Sequence, residues 1–390
     1  MLKRSEFLRF AIISMLFYFS NSLWQSFFSL FLDFKGFNVI EIGVLRTSII
    51  SLRFILSFLA GLLVDKYGSK FGALFSEALL VLFLFLVNYI TVFPHALLLC
   101  FLASFALSLY VQLAVKFVSL ISEGRSMGFL FALYYFAINL VQALGPGLSG
   151  VIVEYYGYYL LNWLTMSLFM VVFALTIPIF PKTSSYTSSP ETGVRVSAVL
   201  RRKEVLFLTL ALILHDFSIF ISVSYIPLFT KHVLLLSEAS IGLLLVIKSF
   251  SRIVFQILSG KIIDRIGGRI TLLLHFIFTS IGYIGIGLVR NFSEMAIVNA
   301  FMGIAITLDL PARRYLLSKY APKSFVASVS GFSDTLVGLF TISSPVIGGY
   351  LWYTTGSRSV FVLSGLANFS AIVPLLFLRV KAQGQKSLER

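Results

Sequence analysis

The sequence predicts an all-α polytopic membrane protein, with twelve transmembrane helices arranged as two pseudo-symmetric six-helix bundles. Three observations predict it. Of the 390 residues, 58% are apolar and only 12% charged, against about 45–50% and about 25% in a soluble globular chain. The apolar residues come in runs of about 20, the length that crosses a bilayer as a helix, not in alternating ten-residue strands. A set of glycines, prolines and charges also recurs at one fixed offset of 199 residues. In hydrocarbon every backbone polar group needs an internal partner, so runs of this length must be helices.

Taken in order, the spans fall at about 7–32, 40–63, 70–90, 95–116, 126–153 and 159–180 in a first half. A second set falls at about 204–230, 238–263, 270–288, 293–317, 325–350 and 358–378. Between them lies the most polar stretch, with Thr183-Ser184-Ser185-Tyr186-Thr187-Ser188-Ser189-Pro190 followed by Arg201-Arg202-Lys203. This composition predicts a flexible linker at 181–203 between a domain at 1–180 and one at 204–390. Met1–Arg9 reads as a cytoplasmic lead-in to the first span, without the features of a cleaved signal peptide.

The net charge of +15 is a topology signal. Of 31 lysines and arginines, Lys35, Lys231, Arg290 and Arg358 fall in loops on one side, and Arg46, Arg53, Lys248 and Arg252 within spans. The other 23 fall on the opposite side. The positive-inside bias makes that side cytoplasmic, with both termini there, in a plasma membrane protein. The expected neighbour of this basic surface is anionic lipid, not nucleic acid. A lone cysteine, Cys100, excludes an internal disulfide.

The repeat sets the architecture. Gly61, Asp65 and Gly68 return as Gly260, Asp264 and Gly267. At the same offset Gly43 matches Gly242, Arg53 matches Arg252, Lys70 matches Arg269, Pro146 matches Pro345 and Gly150 matches Gly349. Two halves of equal topology are expected to relate by an axis along the membrane normal, with a binding site between them near the midplane.

Gly61-Leu-Leu-Val-Asp65-Lys66-Tyr-Gly68-Ser-Lys70 resembles the loop 2–3 signature of the major facilitator superfamily, and Gly260-Lys-Ile-Ile-Asp264-Arg265-Ile-Gly267-Gly-Arg269 is its second copy. The resemblance extends over essentially the whole chain. It implies that Asp65 faces the start of the eleventh span and Asp264 the start of the fifth, in clusters that form when the cytoplasmic side closes. Lys116 would complete the first cluster, Arg313 or Arg314 the second. Physically, a glycine lets a neighbouring backbone approach, and a carboxylate bonds a helix N-terminus and a base. Gly145-Pro146-Gly147-Leu-Ser149-Gly150 resembles the antiporter signature of drug exporters in this superfamily, and Pro345-Val-Ile-Gly348-Gly349 echoes it. An ordinary bent, close-packed helix is the alternative. The fourth span departs from proton-coupled drug exporters, having no charge before Lys116.

A charge at the bilayer centre costs at least about 2.5–3.5 kcal/mol, so each invites a partner. Arg46, Arg53, Lys248 and Arg252 stand against Glu77, Asp216, Asp309 and Asp334. Asp309 and Arg313, spaced i,i+4, are expected to pair locally. Arg53 and Asp334 lie at similar depths, roughly 15 Å and 14 Å, on adjacent spans, which predicts an interdomain latch with Glu77 as the competing partner. Arg252 and Asp216, roughly 17 Å and 18 Å deep, are expected to pair, with Lys248 one turn away. Asp216 is then the candidate carrier of a coupling proton, or else half of a permanent ion pair.

Asn21, Gln25, Tyr135, Asn139 and Gln142 are polar candidates for a substrate cavity, while the 41 phenylalanines read mainly as lipid-facing filler. No paired histidines with ligand spacing, His-Glu-x-x-His or Ser/His/Asp pattern appears, so neither metal, cofactor nor catalytic residue is expected. The function expected is secondary transport of a small molecule, monomeric, and proton-coupled efflux of amphiphilic or drug-like compounds in particular. Uptake of an organic anion held by Arg53 and Arg252 is the rival. An intramembrane enzyme or sensor is the alternative from another class.

Overall fold

The computed structural model describes residues 4–121, 127–180, 202–320 and 326–378. Among them every element is helical. The first half contains α1 (Arg4–Phe34), α2 (Val39–Ile55 continued by Ser57–Tyr67), α3 (Ser69–Leu86) and α4 (Phe93–Ile121). It ends with Met127–Ile179, which Gly157 divides into α5 and α6. The second half contains α7 (Lys203–Phe220 and Ile226–His232), α8 (Glu238–Ile266) and α9 (Gly268–Leu288). It continues through α10 (Phe292–Thr307 and Asp309–Tyr320), α11 (Val326–Thr341 and Ser344–Thr354) and α12 (Ser357–Asn368 and Ile372–Leu376). Nine stretches of the described residues are long and apolar enough to cross a membrane. The longest is α5 and α6 together, and the more polar α2 and α8 are not among the nine.

Local sequence explains the interruptions. Each break in the second half precedes a proline: Val223–Tyr225 before Pro227, Leu308 before Pro311, Ile342 and Ser343 before Pro345, and Phe369–Ala371 before Pro374. A proline has no N–H to give, and its ring clashes with the carbonyl four residues back. The starts of α2, α8 and α10 are capped by Asn38, Ser237 and Asn291, whose side chains accept from the backbone N–H groups of Glu41, Ser240 and Glu294.

The 199-residue repeat extends into backbone geometry. The positive-φ residues form three pairs at that offset: Gly36 with Leu235, Gly68 with Gly267, and Gly157 with Gly356. Side-chain bonds repeat as well. Lys70 donates to the carbonyl of Ile177, and Arg269 Nη2 to that of Leu376 at 2.6 Å. Ser76 Oγ donates to the Ala106 carbonyl at 2.6 Å, and His275 Nδ1 reaches the Ala305 carbonyl at 2.8 Å. The last basic residue of each signature copy thus ties the loop to the end of α6 or α12, where exposed carbonyls favour a cation.

Phenylalanine serves two surfaces. Phe10, Phe17, Phe117 and Phe169 are fully buried in the first half, with Phe17 stacked on Tyr110, whereas Phe85, Phe101 and Phe250 face outward. The filler reading therefore holds for only part of the set.

The halves meet where α5 crosses α8 and where α2 crosses α11. Cross-half bonds gather at the end opposite the basic loops. His232 Nε2 lies 2.7 Å from Asp33 Oδ2, a pair that is itself one repeat apart, so the pseudo-twofold axis passes beside them. The Ala239 N–H donates to Glu154 Oε2 at 2.8 Å, and Thr47 shares a 2.9 Å bond with Ser224. This end of the molecule is shut.

Candidate functional site

A cavity of about 300 Å³ lies between the halves. Its walls come from α1, α2 and α5 on one side and α7, α8 and α10 on the other. Of the residues expected at a substrate site, Asn21, Gln25, Gln142 and Lys248 line it. Arg46 lines it too, with Ser26, Ser224 and Asn299. Among its described lining residues there are two cations, Arg46 and Lys248, and no Asp or Glu. Arg46 Nη1 is buried with no hydrogen-bond partner. A buried guanidinium N–H without a partner is costly, and a ligand that brings an acceptor relieves that cost.

The sequence offered a signal for Arg46. It lies one turn from Gly43 and two turns from Arg53, as one of four cations within the spans. Two other candidates sit elsewhere. Asn139 Nδ2 donates to Gln256 Oε1 at 3.0 Å, linking α5 to α8, and Tyr135 is 37% exposed. Asn21 accepts from Trp24 Nε1 at 3.1 Å while lining the cavity.

A second cavity, about 190 Å³, opens beside the charged cluster of the second half. Here the expected ion pairs need correction. Asp216 pairs with Arg313, not Arg252: Arg313 Nη1 and Nη2 reach its two oxygens at 2.7 Å and 2.6 Å. The same guanidinium donates through Nε to Asp309. A planar fork matches two carboxylates in this way, which a lysine cannot do. Arg252 is exposed and lies within electrostatic reach of Asp309. Arg313 is consequently engaged inside the bundle by both carboxylates. Lys248 turns to the central cavity.

Asp334 lines the second cavity and lies within electrostatic reach of Arg53 across the boundary between halves. The Arg53 guanidinium stacks over the Phe54 ring, 5.3 Å from its centroid. Glu77, the competing partner expected for Arg53, is fully buried on α3 and accepts from Thr176 Oγ1 at 2.9 Å. Azimuth excludes it from the interface.

Beside Asp216 and Asp309, two buried histidines meet. His215 Nε2 and His275 Nε2 are 3.0 Å apart. They stand on different spans, and the packing of both α7 and α9 on α12 brings their side chains together.

At the signatures, the side chains of Asp65, Asp264 and Arg314 lie outside the described ones. Lys116 Nζ donates to the Val64 carbonyl, next to Asp65, at 3.2 Å. Lys66 stacks on Tyr67, and Arg265 is exposed. In the bend motif, a Cβ on Gly145 would fall 1.9 Å from Ser22 Oγ, and one on Gly150 would fall 3.1 Å from Gly242 Cα. These glycines let α5 lie directly on α1 and α8.

The chain matches the family description "Major Facilitator Superfamily" over residues 10–237 and again over 208–390. A multidrug resistance efflux pump PmrA homolog of Lactococcus lactis is 23% identical over 235 residues, 56% of this chain and 57% of that protein. A tetracenomycin C resistance and export protein of Streptomyces glaucescens is 26% identical over 34% of this chain and 24% of that one. An uncharacterized MFS-type transporter of Methanocaldococcus jannaschii is 27% identical over 32% and 31%. The chain spans less than two thirds of the length of these curated relatives. Among solved structures, the nucleoside transporter NupG superimposes with a TM-score of 0.78 at 14% identity, covering 97% of this chain and 100% of that one. At that identity the likeness speaks for the fold alone. With the family matched along almost its whole length, the chain belongs to the major facilitator superfamily.

Proposed function

We propose that this transporter exports a small organic molecule in exchange for protons, by alternating access of the bundles 1–180 and 204–390 about the central cavity. The observation that carries this reading is the cavity itself, walled by three helices from each half and shut at the end opposite the basic loops. A site shared by two repeats is exposed to one side or the other as the repeats rock. Export follows the names of two relatives, an efflux pump homolog and an export protein. The basic loops and both termini are assigned to the cytoplasm, in the plasma membrane, with the signature clusters as the gate on that side.

A second reading, uptake of an organic anion, is favoured by Arg46 and Lys248 in a cavity whose described lining has no carboxylate. It moves the anion site from Arg53 and Arg252, which do not line that cavity, to these two residues. Amphiphilic cargo bearing a negative group fits both readings of direction.

Purified protein in liposomes loaded with a pH-sensitive dye tests the proposal, challenged with lipophilic cations and organic acids in turn. Counter-movement of protons triggered by one compound supports exchange. Flux of an organic acid that Arg46→Gln reduces by about tenfold or more, one lost charge-assisted bond, favours the anion reading. No flux of any compound, in protein shown to be folded, overturns both.

A further inference from the structure

We propose that His215 and His275 form a proton-binding site, in which the two rings hold one shared proton between their Nε2 atoms. Its coupling role rests on the transport reading above; the proton itself rests on hydrogen-bond geometry.

Each ring has its Nδ1 committed. His275 Nδ1 lies 2.8 Å from the Ala305 carbonyl, which has only lone pairs to offer, so this nitrogen carries a hydrogen. His215 Nδ1 lies 2.8 Å from Asn368 Oδ1. The orientation of that amide is set independently, because Asn368 Nδ2 donates to the Phe276 carbonyl at 3.1 Å and to Ser280 Oγ at 3.0 Å. Its oxygen therefore faces His215, and His215 Nδ1 also carries a hydrogen. A neutral imidazole has one N–H, so both Nε2 atoms would be bare. They are 3.0 Å apart and fully enclosed. Two lone pairs at hydrogen-bond distance repel in the dry interior, and one added proton converts the contact into an N–H⁺···N bond.

The charges around the pair balance with that proton in place. Asp216 Oδ1 stands 3.8 Å from His215 Nε2, and Asp309 Oδ1 stands 3.7 Å from His275 Nε2. Two carboxylates flank the shared proton, and among the described residues the one other cation ion-paired to them is Arg313, which bridges both. Without the proton the group carries one net negative charge; with it, none. The remaining ionisable groups facing the cluster are Tyr283 on α9, within reach of Asp216, Arg252 on α8, within reach of Asp309, and Asp334 on α11, in the adjoining cavity. Asp334 is also within reach of Arg53 on α2, so the balance is drawn over the directly bonded groups, Arg313, Asp216, Asp309 and the shared proton.

Binding forms an Nε2–H bond on one ring and an acceptor contact on the other; release returns the proton to water. After release, the two lone pairs repel one another, and the uncovered negative charge on Asp216 and Asp309 pushes α7 from α10. Proton occupancy is thereby linked to the packing of the helices that wall the two cavities. The small cavity beside Asp216, Asp309 and Arg313 supplies the route to the cluster. Asp216 is then a neighbour that stabilises the proton, and the carrier is the histidine pair.

Nitrogen-15 histidine NMR of the full-length protein in nanodiscs tests this, since only His95 and His232 share the label. The expected result near pH 7 is a hydrogen on both Nδ1 atoms and a third shared by the Nε2 atoms, in protein that has bound no substrate. Two neutral rings with unprotonated Nε2 atoms from pH 5 to 9 would overturn the site. His275→Gln offers His215 an amide N–H in place of the proton and preserves the bond; the expected His215 is then neutral. A His215 that remains an imidazolium in that variant also overturns the shared-proton assignment. Because the readout needs no substrate, its failure leaves the transport reading standing, and failure of transport leaves the proton site standing.

Discussion

The two crossings between the halves obey the same repeat yet are packed by different means. Where α5 meets α8, Gly150 and Gly242 touch backbone to backbone: a Cβ on Gly242 would fall 2.5 Å from the Pro146 carbonyl and 3.2 Å from Gly150 Cα. Where α2 meets α11, the equivalent glycines are Gly43 and Gly349, but Tyr225 stands between them. Its hydroxyl donates to the Pro345 carbonyl at 2.5 Å, the repeat equivalent of the Pro146 carbonyl. A Cβ on Gly43 would strike that hydroxyl at 1.9 Å. The repeat explains why. One period before Tyr225 stands Ser26, which is small and lines the central cavity instead of filling a crossing. One serine–tyrosine difference thus leaves one crossing dry and direct, and the other wedged by a side chain.

The largest test removes the wedge. Tyr225→Ala leaves a void in a fully buried position, with an expected loss of about 3–5 kcal/mol, read as a lowered midpoint of thermal unfolding in detergent. A stability near wild type would show that the tyrosine fills nothing essential. Next, Gly150→Val drives a side chain into the backbone of α8, at about 1–3 kcal/mol. No single truncation should rescue it, because the obstructing atoms are main chain. Gly43→Ala is expected to be harmful by a similar amount, but Tyr225→Leu should relieve it, since there the obstacle is a side chain. A double-mutant cycle that finds the two changes additive would erase the distinction between the crossings. Tyr225→Phe deletes only the hydroxyl bond and is expected to cost about 1 kcal/mol.

The smallest effect concerns another asymmetric pair, Gly36 and Leu235. Both have positive φ, and Leu235 is the only residue other than glycine with such a φ among those described. It is 82% exposed, so its side chain returns little for the strain. Leu235→Gly is expected to raise stability by about 0.5–1 kcal/mol. An unchanged or lowered unfolding midpoint would mean that neighbouring contacts offset the strain.

Much of this was legible in the linear sequence. The offset of 199 marked Gly43, Gly150, Gly242 and Gly349 as a matched set of small residues, and all four lie at the two crossings. Of the polar residues grouped for a cavity, Asn21, Gln25 and Gln142 line one and Tyr135 and Asn139 do not, while Lys248, expected beside Arg252 and Asp216, faces that cavity instead. Reasoning from depth failed for Asp216. Axial rise ranks residues by depth but carries no information on which neighbour a helix face meets. Arg313, nearer the end of its span, was matched by spacing to Asp309, and the rotation of α7 and α10 about their axes joins it to Asp216 as well. Glu77 failed as a partner for Arg53 for the same reason, since α3 turns it toward α6. The histidine pair was invisible because His215 and His275 belong to α7 and α9, with α8 between them in sequence, and neither spacing nor periodicity predicts that contact.

The sequence by itself determined the solvent this chain folds in, its helical character, its twofold repetition and the places where backbones touch. Those follow from composition, run length and residue size, which act locally and repeat with the chain. Tertiary structure alone decided which charges meet, which cation is left facing the cavity and which nitrogens share a space. Those depend on the azimuth of one helix against another. In a bilayer that azimuth is set by the whole set of packing contacts, since lipid offers no hydrophobic drive to orient apolar faces that all resemble one another.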